Sequence, residues 1–500
     1  MPNAPSPQAR TDNRFTAIET PGGPVFGNVL DMVGRTPMIE VTKLDTGPCR
    51  LFLKMESQNP AASIKDRIGI SMIEAAEADG RIDPNADEKP TLIEGTAGNT
   101  GLGLALVAGQ RGYKLIVVVP DKMAKEKIMH LRAMGADVRM ARSDVTKGHP
   151  DYYQDVAARI AKETPNSLYI NQFANDDNAA AHYDTTAPEI AAQIDALGLT
   201  LDAFVVGVGS GGTLTGAGRY FKEHNPDCKI VLADPAGSIL EPLHCRGEHV
   251  TAGAWLVEGM GEDFVPDVCD MNLVDDAIAV TDGESFLAGR ELLMKEGLLG
   301  GSSTGCLLHA ALEWCRKQTE PKTCVTFVCD NGAKYLSKMY NDFWMIDNGF
   351  IERDKHNDLR DLIARRHSNR EDFTLKPTDT LGGALKTMKL YDVSQVAIVE
   401  PLPDPEKTGK RRSRAIGIID ESDVLLALLS EGTSLDSPVS EFMTKRLETI
   451  PPDAEIKTLV PIFRSDRVAI IADPDDSDRF MGLITRIDLI NYLRAQRPTD

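Results

Sequence analysis

Nothing in the sequence approaches the roughly 18 to 20 consecutive apolar residues that span a bilayer. Residues 1–30 are rich in Pro, Asn and Thr and hold no apolar core of a secretion signal. The expectation is a soluble, cytoplasmic protein with no membrane partner. Positive charge is also short. A net charge of −20 is the wrong sign for a protein that neutralises a phosphate backbone, so nucleic acid is not an expected partner. One basic patch, "GKRRSR" at 409–414, is a local exception and reads as a solvated loop face. The eight cysteines include no C-x-x-C pair and no zinc spacing, so free thiols and no metal are expected.

What is there alternates. Short apolar runs bounded by turn residues recur through the first two thirds: "KLIVVVP" at 114–120, "AFVVGVG" at 203–209, "KIVLADP" at 229–235 and "CVTFVCD" at 324–330. Each reads as a strand buried on both faces. Between them lie stretches with helical spacing, such as Ile64, Ile68, Met72 and Ala75, or Ala157, Ile160 and Ala161. The alternation predicts α/β architecture with mainly parallel sheets, in which anionic ligands bind beyond the carboxyl ends of strands.

After about residue 350 the pattern changes. Residues 352–372 are charged, nearly without large apolar side chains, and read as a linker that is partly helical. Beyond them the sequence repeats itself: "LKPTDTLGGAL" from Leu375 resembles "IPPDAEIKTLV" from Ile450, and "RAIGIIDESDVLLAL" from Arg414 parallels "RFMGLITRIDLINYL" from Arg479. A tandem pair of βαββα modules is predicted, with a period too long for a solenoid. The expected boundaries are a flexible segment 1–25, a catalytic core 26–350, a linker 351–373 and two modules, 374–436 and 437–498.

The chemistry is concentrated in glycine-rich turns. "EGTAGNTGLGL", Glu94–Leu104, carries four glycines where a strand hands over to a helix, which gathers N–H donors and favours an anion. "GSGGTLTGAGRY", Gly209–Tyr220, follows an apolar run and adds the hydroxyls of Ser210 and Thr213, a phosphate cup by construction. It lacks the Gly-Lys pair of a Walker A loop and fits G-x-G-x-x-G only loosely. "LLGGSSTG" at 298–305 repeats the small-residue style. Lys65 sits in the first turn of an amphipathic helix, against the helix dipole, with Asp66 beside it as an ordinary capping partner.

The order "GRTPMIEV", "PAASIKDR", "GTAGNTGLGLALVA", "GSGGTLTG" and "LLGGSSTG" resembles the tryptophan-synthase-β type of pyridoxal-phosphate (PLP) enzymes, within it the cystathionine β-synthase and cysteine synthase branch. The resemblance runs from about Phe26 to Phe350, and the repeated tail resembles the tandem regulatory CBS domains that accompany cystathionine β-synthases. It implies a fold-type II core of two parallel-sheet subdomains with PLP as cofactor. Lys65 is then the catalytic residue, bonded to the cofactor aldehyde. Gly209, Ser210, Gly211, Gly212 and Thr213 match the phosphate cup, Asn99 the residue that bonds the ring hydroxyl, and Ser302 the group facing the pyridine nitrogen. Thr96, Ala97, Gly98, Asn99 and Thr100, with Gln172, are left for the substrate's α-carboxylate. An ordinary lysine titrates at about 10.4, so Lys65 needs an apolar, cation-poor pocket to act as nucleophile and base.

"AHYDTTAPEI" at 181–190 and "VEGMGEDFVP" at 257–266 resemble cystathionine β-synthases more than cysteine synthases, with Glu258 and Asp263 the telling acids. The implied reaction joins L-serine and L-homocysteine to give L-cystathionine and water, with hydrogen sulfide release from cysteine as a side reaction. The alternatives are a cysteine synthase, taking O-acetylserine or serine with sulfide, and, of another class, a non-catalytic adenosyl-ligand sensor. Two departures stand out: Ala97 replaces the serine usual in the family's Thr-Ser-Gly-Asn-Thr loop, and Phe173 an aromatic that is often tyrosine. One hydroxyl contact is worth roughly 1 kcal/mol, so Ala97→Ser should leave turnover within about tenfold.

No cysteine or histidine precedes Cys49, so residues 1–48 cannot supply the Cys–His pair of haem-bearing family members, and no haem is expected. In the tail, Asp423 and Asp488, with Thr485 nearby, match the family's ribose-binding positions. Asp420 stands where the second copy has Thr485, which disfavours a phosphate and leaves S-adenosylmethionine, another adenosyl ligand, or a purely structural tail. Family members pair through the core and sometimes the tails, so a homodimer or higher homo-oligomer is expected.

Overall fold

The chain folds as two compact units, Met1–Asn341 and Asp342–Asp500. The structure, a computed structural model, describes residues 24–96 and 98–495. The expectations for residues 1–23, Ala97 and residues 496–498 lie outside the described residues. No helix among the described residues is long and apolar enough to cross a membrane.

The first unit is α/β. Its strands are β1 (Met38–Glu40), β2 (Arg50–Lys54), β3 (Thr91–Gly95), β4 (Lys114–Pro120) and β5 (Asp137–Ala141), then β6 (Ser167–Tyr169), β7 (Ala203–Gly207), β8 (Lys229–Pro235), β9 (Asp276–Val280) and β10 (Thr323–Phe327). They form a six-stranded sheet in the order β1-β2-β10-β7-β8-β9 and a four-stranded one in the order β5-β4-β3-β6. All pairings are parallel except β1 against β2. The apolar runs expected as buried strands are β4, β7, β8 and β10; every residue of β10 is buried, and in β4 and β8 only the leading lysine is exposed. Helices cover both faces of such sheets, which is why the strands read as unbroken apolar runs.

The helix Lys65–Ala78 lies against the helix Asn99–Arg111 at backbone contact. A Cβ on Gly69 would stand 2.6 Å from the Gly103 carbonyl carbon, and one on Gly103 2.6 Å from the Lys65 carbonyl oxygen. Only glycines allow this approach, and it sets the start of the second helix beside the first turn of the first. Behind that turn, Arg67 donates to Glu56 at 2.8 Å and to Glu189 at 2.7 Å, and Lys54 to Glu189 at 2.8 Å, all on side chains that are buried or nearly so.

The second unit carries the repeat. β11 (Thr374–Leu375), the helix Leu381–Tyr391, β12 (Gln395–Pro401), β13 (Ser413–Asp420) and the helix Glu421–Leu428 make one βαββα copy. β14 (Thr449–Ile450), the helix Leu459–Arg464, β15 (Ala469–Asp473), β16 (Arg479–Ile484) and the helix Arg486–Ala495 make the other. The six strands share one sheet, β11-β12-β13-β16-β15-β14, symmetric about the β13/β16 pair. The stretch read as a linker is different in kind: Leu359, Leu362 and Ile363 are at most 3% exposed and belong to the apolar core of the second copy. Its few apolar residues sit in a short 3-10 turn, Leu359–Leu362, which charge composition conceals. The helix Asp342–Asp347 likewise falls in the second unit, so the division comes before residue 350.

Candidate active site

One cavity of about 530 Å³ opens at the carboxyl ends of strands of the first unit. Lys65, Thr96, Asn99, Thr100, Gln172, Gly209, Ser210, Gly211, Thr213 and Glu258 all line it, although the sequence separates them by up to 193 positions. Of the other expected core residues, Gly98, Gly212 and Ser302 stand behind its wall, all of them buried.

Lys65 begins its helix with Ser63 Oγ accepting its backbone N–H at 3.2 Å. The Ile64 N–H, next to it, donates to the Cys329 carbonyl at 2.8 Å, which ties the turn to the end of β10. Immediately before Ser63, Ala62 adopts φ +61°, a left-handed conformation rare for a residue with a Cβ and of the kind that gathers at functional sites. The Lys65 ammonium makes no hydrogen bond or ion pair among the described residues. Desolvation pulls it below the ordinary lysine value, opposed by Cys329 and Glu262. That is the apolar, cation-poor setting a nucleophilic amine needs.

Two helices aim uncapped N-termini at this cavity. The helix Gly212–His224 follows β7 with no side-chain cap, and the N–H groups of Ser210, Gly211, Gly212 and Thr213 donate to no acceptor among the described residues. Such donors, with the positive end of the helix dipole, form an anion seat. A Cβ on Gly212 would fall 2.0 Å from Asn178 Oδ1, so the chain here must be glycine for the cup to close. Asn178 supports the cup from behind: its Nδ2 donates to Ser210 Oγ and to the Gln172 carbonyl, both at 2.8 Å, while its Oδ1 receives nothing. Thr213 Oγ1 sits 3.2 Å from His182 Nε2, and His182 is held neutral by burial.

The second uncapped N-terminus is that of the helix Asn99–Arg111. Thr96 Oγ1 takes the Gly98 N–H at 3.1 Å, and the N–H groups of Asn99 and Thr100 are left free of acceptors among the described residues. Thr100 Oγ1 donates to Gln172 Oε1 at 2.7 Å, which joins the loop to the glutamine. Beneath the loop, Glu94 is fully buried and desolvation pushes its carboxyl up to about 8.

Several residues of the site were not legible beforehand. Asp330, fully buried just past β10, accepts from Asn99 Nδ2 and from the Tyr335 hydroxyl, each at 2.8 Å. Lys334 donates to Asn99 Oδ1 at 2.9 Å, and burial pushes its amine down to about 8. Asn99 is thus held at both ends of its amide. Glu258, a telling acid in the sequence, is already occupied: Lys127 donates to one oxygen at 2.8 Å and Lys338 to the other at 2.6 Å. Burial alone would push this carboxyl up, but the two lysines hold it below the usual range. Among the described residues Asp263 takes only the Lys147 N–H, at 3.4 Å. Ser302 Oγ accepts the Glu258 N–H at 3.0 Å, and Ser303, not Ser302, reaches the cavity wall. Phe173 lines the cavity, its ring 5.8 Å from that of Phe264.

In the second unit the expected ligand residues are helix caps. Asp420 and Asp423 form a reciprocal capping box, and Asp488 Oδ2 accepts the Thr485 N–H and hydroxyl, both at 2.6 Å. The two copies place Asp423 and Asp488 equivalently. In the basic patch, Arg412 pairs with Asp476 at 2.6 Å and Arg411 with Asp372 at 3.4 Å, so these charges are spent within the unit.

The residues suit PLP on these observations: a free lysine amine between an uncapped glycine cup and a second uncapped helix start. Comparison with known proteins agrees. The family model described as "Pyridoxal-phosphate dependent enzyme" matches residues 29–330, and that of the CBS domain matches residues 439–495. A cystathionine beta-synthase of Dictyostelium discoideum is 34% identical over 94% of this chain and 92% of its own. A probable cysteine synthase of Bacillus subtilis is 37% identical over 64% of this chain and 98% of its own. Among solved structures, an O-acetylserine dependent cystathionine beta-synthase from Helicobacter pylori matches with TM-score 0.56 and 36% identity, over 63% of this chain and 98% of that one.

Proposed function

The chain belongs to the pyridoxal-phosphate-dependent enzymes, in the cystathionine β-synthase branch with a C-terminal CBS module, and on that premise we propose that it replaces the β-hydroxyl of L-serine with the thiol of L-homocysteine, giving L-cystathionine and water. The observation that carries this is the free Lys65 amine between two uncapped helix starts in one cavity. PLP bound there would supply the electron sink that acidifies Cα–H and lets a β-substituent leave. The cup at Gly209–Thr213 would hold its phosphate, and Asn99, fixed by Asp330 and Lys334, would meet its ring hydroxyl. The start of the helix Asn99–Arg111 and Gln172 would seat the α-carboxylate, the second anion of the reaction. Lys65 Nζ, desolvated and unpaired, would take the proton from Cα.

O-acetylserine or serine with sulfide is the second reading, supported by the O-acetylserine dependent and cysteine synthase relatives. Hydrogen sulfide release from cysteine is a side reaction of the same site. The CBS family match supports an adenosyl ligand, which we assign to Asp423, Thr485 and Asp488; the enzyme is read as a cytoplasmic homodimer or higher homo-oligomer. Purified protein supplied with serine and homocysteine should form cystathionine faster than it forms cysteine from O-acetylserine and sulfide. Lys65→Ala should lose the visible cofactor band together with turnover. A wild type without that band would overturn the enzyme reading.

A further inference from the structure

The acid left free in the cavity is neither Glu258 nor Asp263 but Glu262. Its main chain is pinned: the Gly261 N–H donates to the Val208 carbonyl at 2.8 Å, the Glu262 N–H to Ser238 Oγ at 3.1 Å, and the Ile239 N–H to the Glu262 carbonyl at 3.1 Å. Those bonds anchor it beside Val208, which leads directly into the phosphate cup. The side chain is 8% exposed, lines the same cavity as Lys65, and its carboxyl has no hydrogen bond or ion pair among the described residues. The charged groups that face it are Asp263 and Asp234, which oppose ionisation, and Lys122 and Lys147, which favour it. Tyr153 and Lys65 also feel its charge. Desolvation, joined by the two acids, outweighs the two lysines and holds the carboxyl well above the usual carboxylate range. A buried, unpaired carboxyl in a reaction cavity is costly to keep; Glu56 and Glu258 are buried and paired with cations, whereas the buried Glu94, unpartnered among the described residues, does not line the cavity.

We propose that Glu262 is the general acid and base of the β-replacement, and that it makes serine usable as the first substrate; this rests on the reaction read above. The chemistry requires such a group. Hydroxide is the base of water, a far weaker acid than any carboxylic acid, whereas acetate leaves as the base of an acid with a pKa of about 4. As the Cβ–O bond of serine breaks, the Glu262 carboxyl proton passes to the departing oxygen and water is released. The carboxylate left behind then takes the proton of the incoming thiol as the S–Cβ bond forms, which restores the acid. Protons balance over the cycle and no redox partner is needed. Lys65 keeps its own proton traffic, at Cα.

The test is the full-length holoenzyme with Glu262→Gln, assayed on serine and on O-acetylserine with the same thiol. Serine turnover should fall about 10²- to 10⁴-fold, the span typical of general acid–base catalysis. O-acetylserine turnover should fall at least about tenfold less, because acetate leaves without the acid and only the thiol proton still calls for the base. A readout independent of turnover is the infrared difference between wild type and Glu262→Gln at pH 7, which should contain a protonated-carboxyl band from the wild type. Equal losses on both substrates with the cofactor band intact, no loss on either, or an ionised Glu262 would overturn the proposal. If Glu262→Gln cannot hold the cofactor, Glu262→Asp decides: a larger loss on serine supports the role and an equal loss refutes it. A wild type that turns over O-acetylserine but not serine refutes both this role and the serine reading; one active on serine, with an unchanged substrate ratio in the variant, refutes the role alone.

Discussion

Adding one methyl group to the phosphate cup tests how it is built. In Gly212→Ala the new Cβ falls 2.0 Å from Asn178 Oδ1 and 2.4 Å from Asn178 Cγ. Asn178 is fully buried and cannot swing to solvent; it moves only by giving up its bonds to Ser210 Oγ and to the Gln172 carbonyl. Two buried hydrogen bonds at about 1 kcal/mol each, with overpacking of about 1–3 kcal/mol, put the whole cost near 3–5 kcal/mol. The share felt by a bound phosphate comes through Ser210 and the shifted helix start, about 2–3 kcal/mol, or roughly 30- to 150-fold in Kd. PLP titration followed by visible absorbance measures it. Asn178→Ala removes the obstacle and the two bonds together, so the methyl then enters emptied space. The double variant should therefore bind PLP about as well as Asn178→Ala alone, with a coupling of about 2–3 kcal/mol. Additive effects within about 0.5 kcal/mol, or a Gly212→Ala Kd within threefold of wild type, would refute the steric reasoning.

Arg67→Met leaves Glu56 and Glu189 without their shared cation, and breaking a buried pair costs about 3–5 kcal/mol; denaturant unfolding of the cofactor-free protein should show it, and a loss below about 1 kcal/mol would contradict it. Glu94 binds a proton more tightly folded than unfolded, since its carboxyl rises from the ordinary value to about 8. Its contribution to stability is therefore complete below about pH 4 and is lost as pH rises toward 8, at up to about 1.4 kcal/mol per pH unit. Glu94→Gln lacks this term, so its thermal midpoint should gain on wild type between pH 5 and 8, and parallel profiles would refute the shift. In the CBS module, calorimetry should give binding heat with S-adenosylmethionine that Asp488→Ala abolishes, and weaker heat with AMP because Asp420 opposes a phosphate. Heat from neither ligand would end the sensor reading.

The loops that mark the site were legible because their chemistry is local. A glycine run between an apolar strand and a helix exposes N–H donors whatever the rest of the chain does, so "GSGGTLTG" and "GTAGNTG" declare themselves. What supports those loops was not. Asn178 and His182 back the cup from a stretch with no glycine run of its own, and Asp330 reaches Asn99 from 231 positions away. One signal for Asp330 was available: an acid directly after a buried strand, at the end where ligands bind. The linker was misread for the opposite reason, because three buried apolar residues are diluted among charges that only the fold turns outward.

By itself the sequence determined the α/β class, the tandem repeat, the lysine and the two glycine-rich anion seats, since periodicity and backbone donors are properties of short stretches. The tertiary structure alone decided which acids are free. Glu258, Glu262 and Asp263 lie within six residues of one another and are alike on paper. Among the described residues, folding brings Lys127 and Lys338 to the first, leaves the third with one weak contact, and buries the second in the cavity without a partner. A carboxyl's charge and role depend on what surrounds it in three dimensions, because desolvation and nearby cations set its protonation and neither is written in its neighbours along the chain.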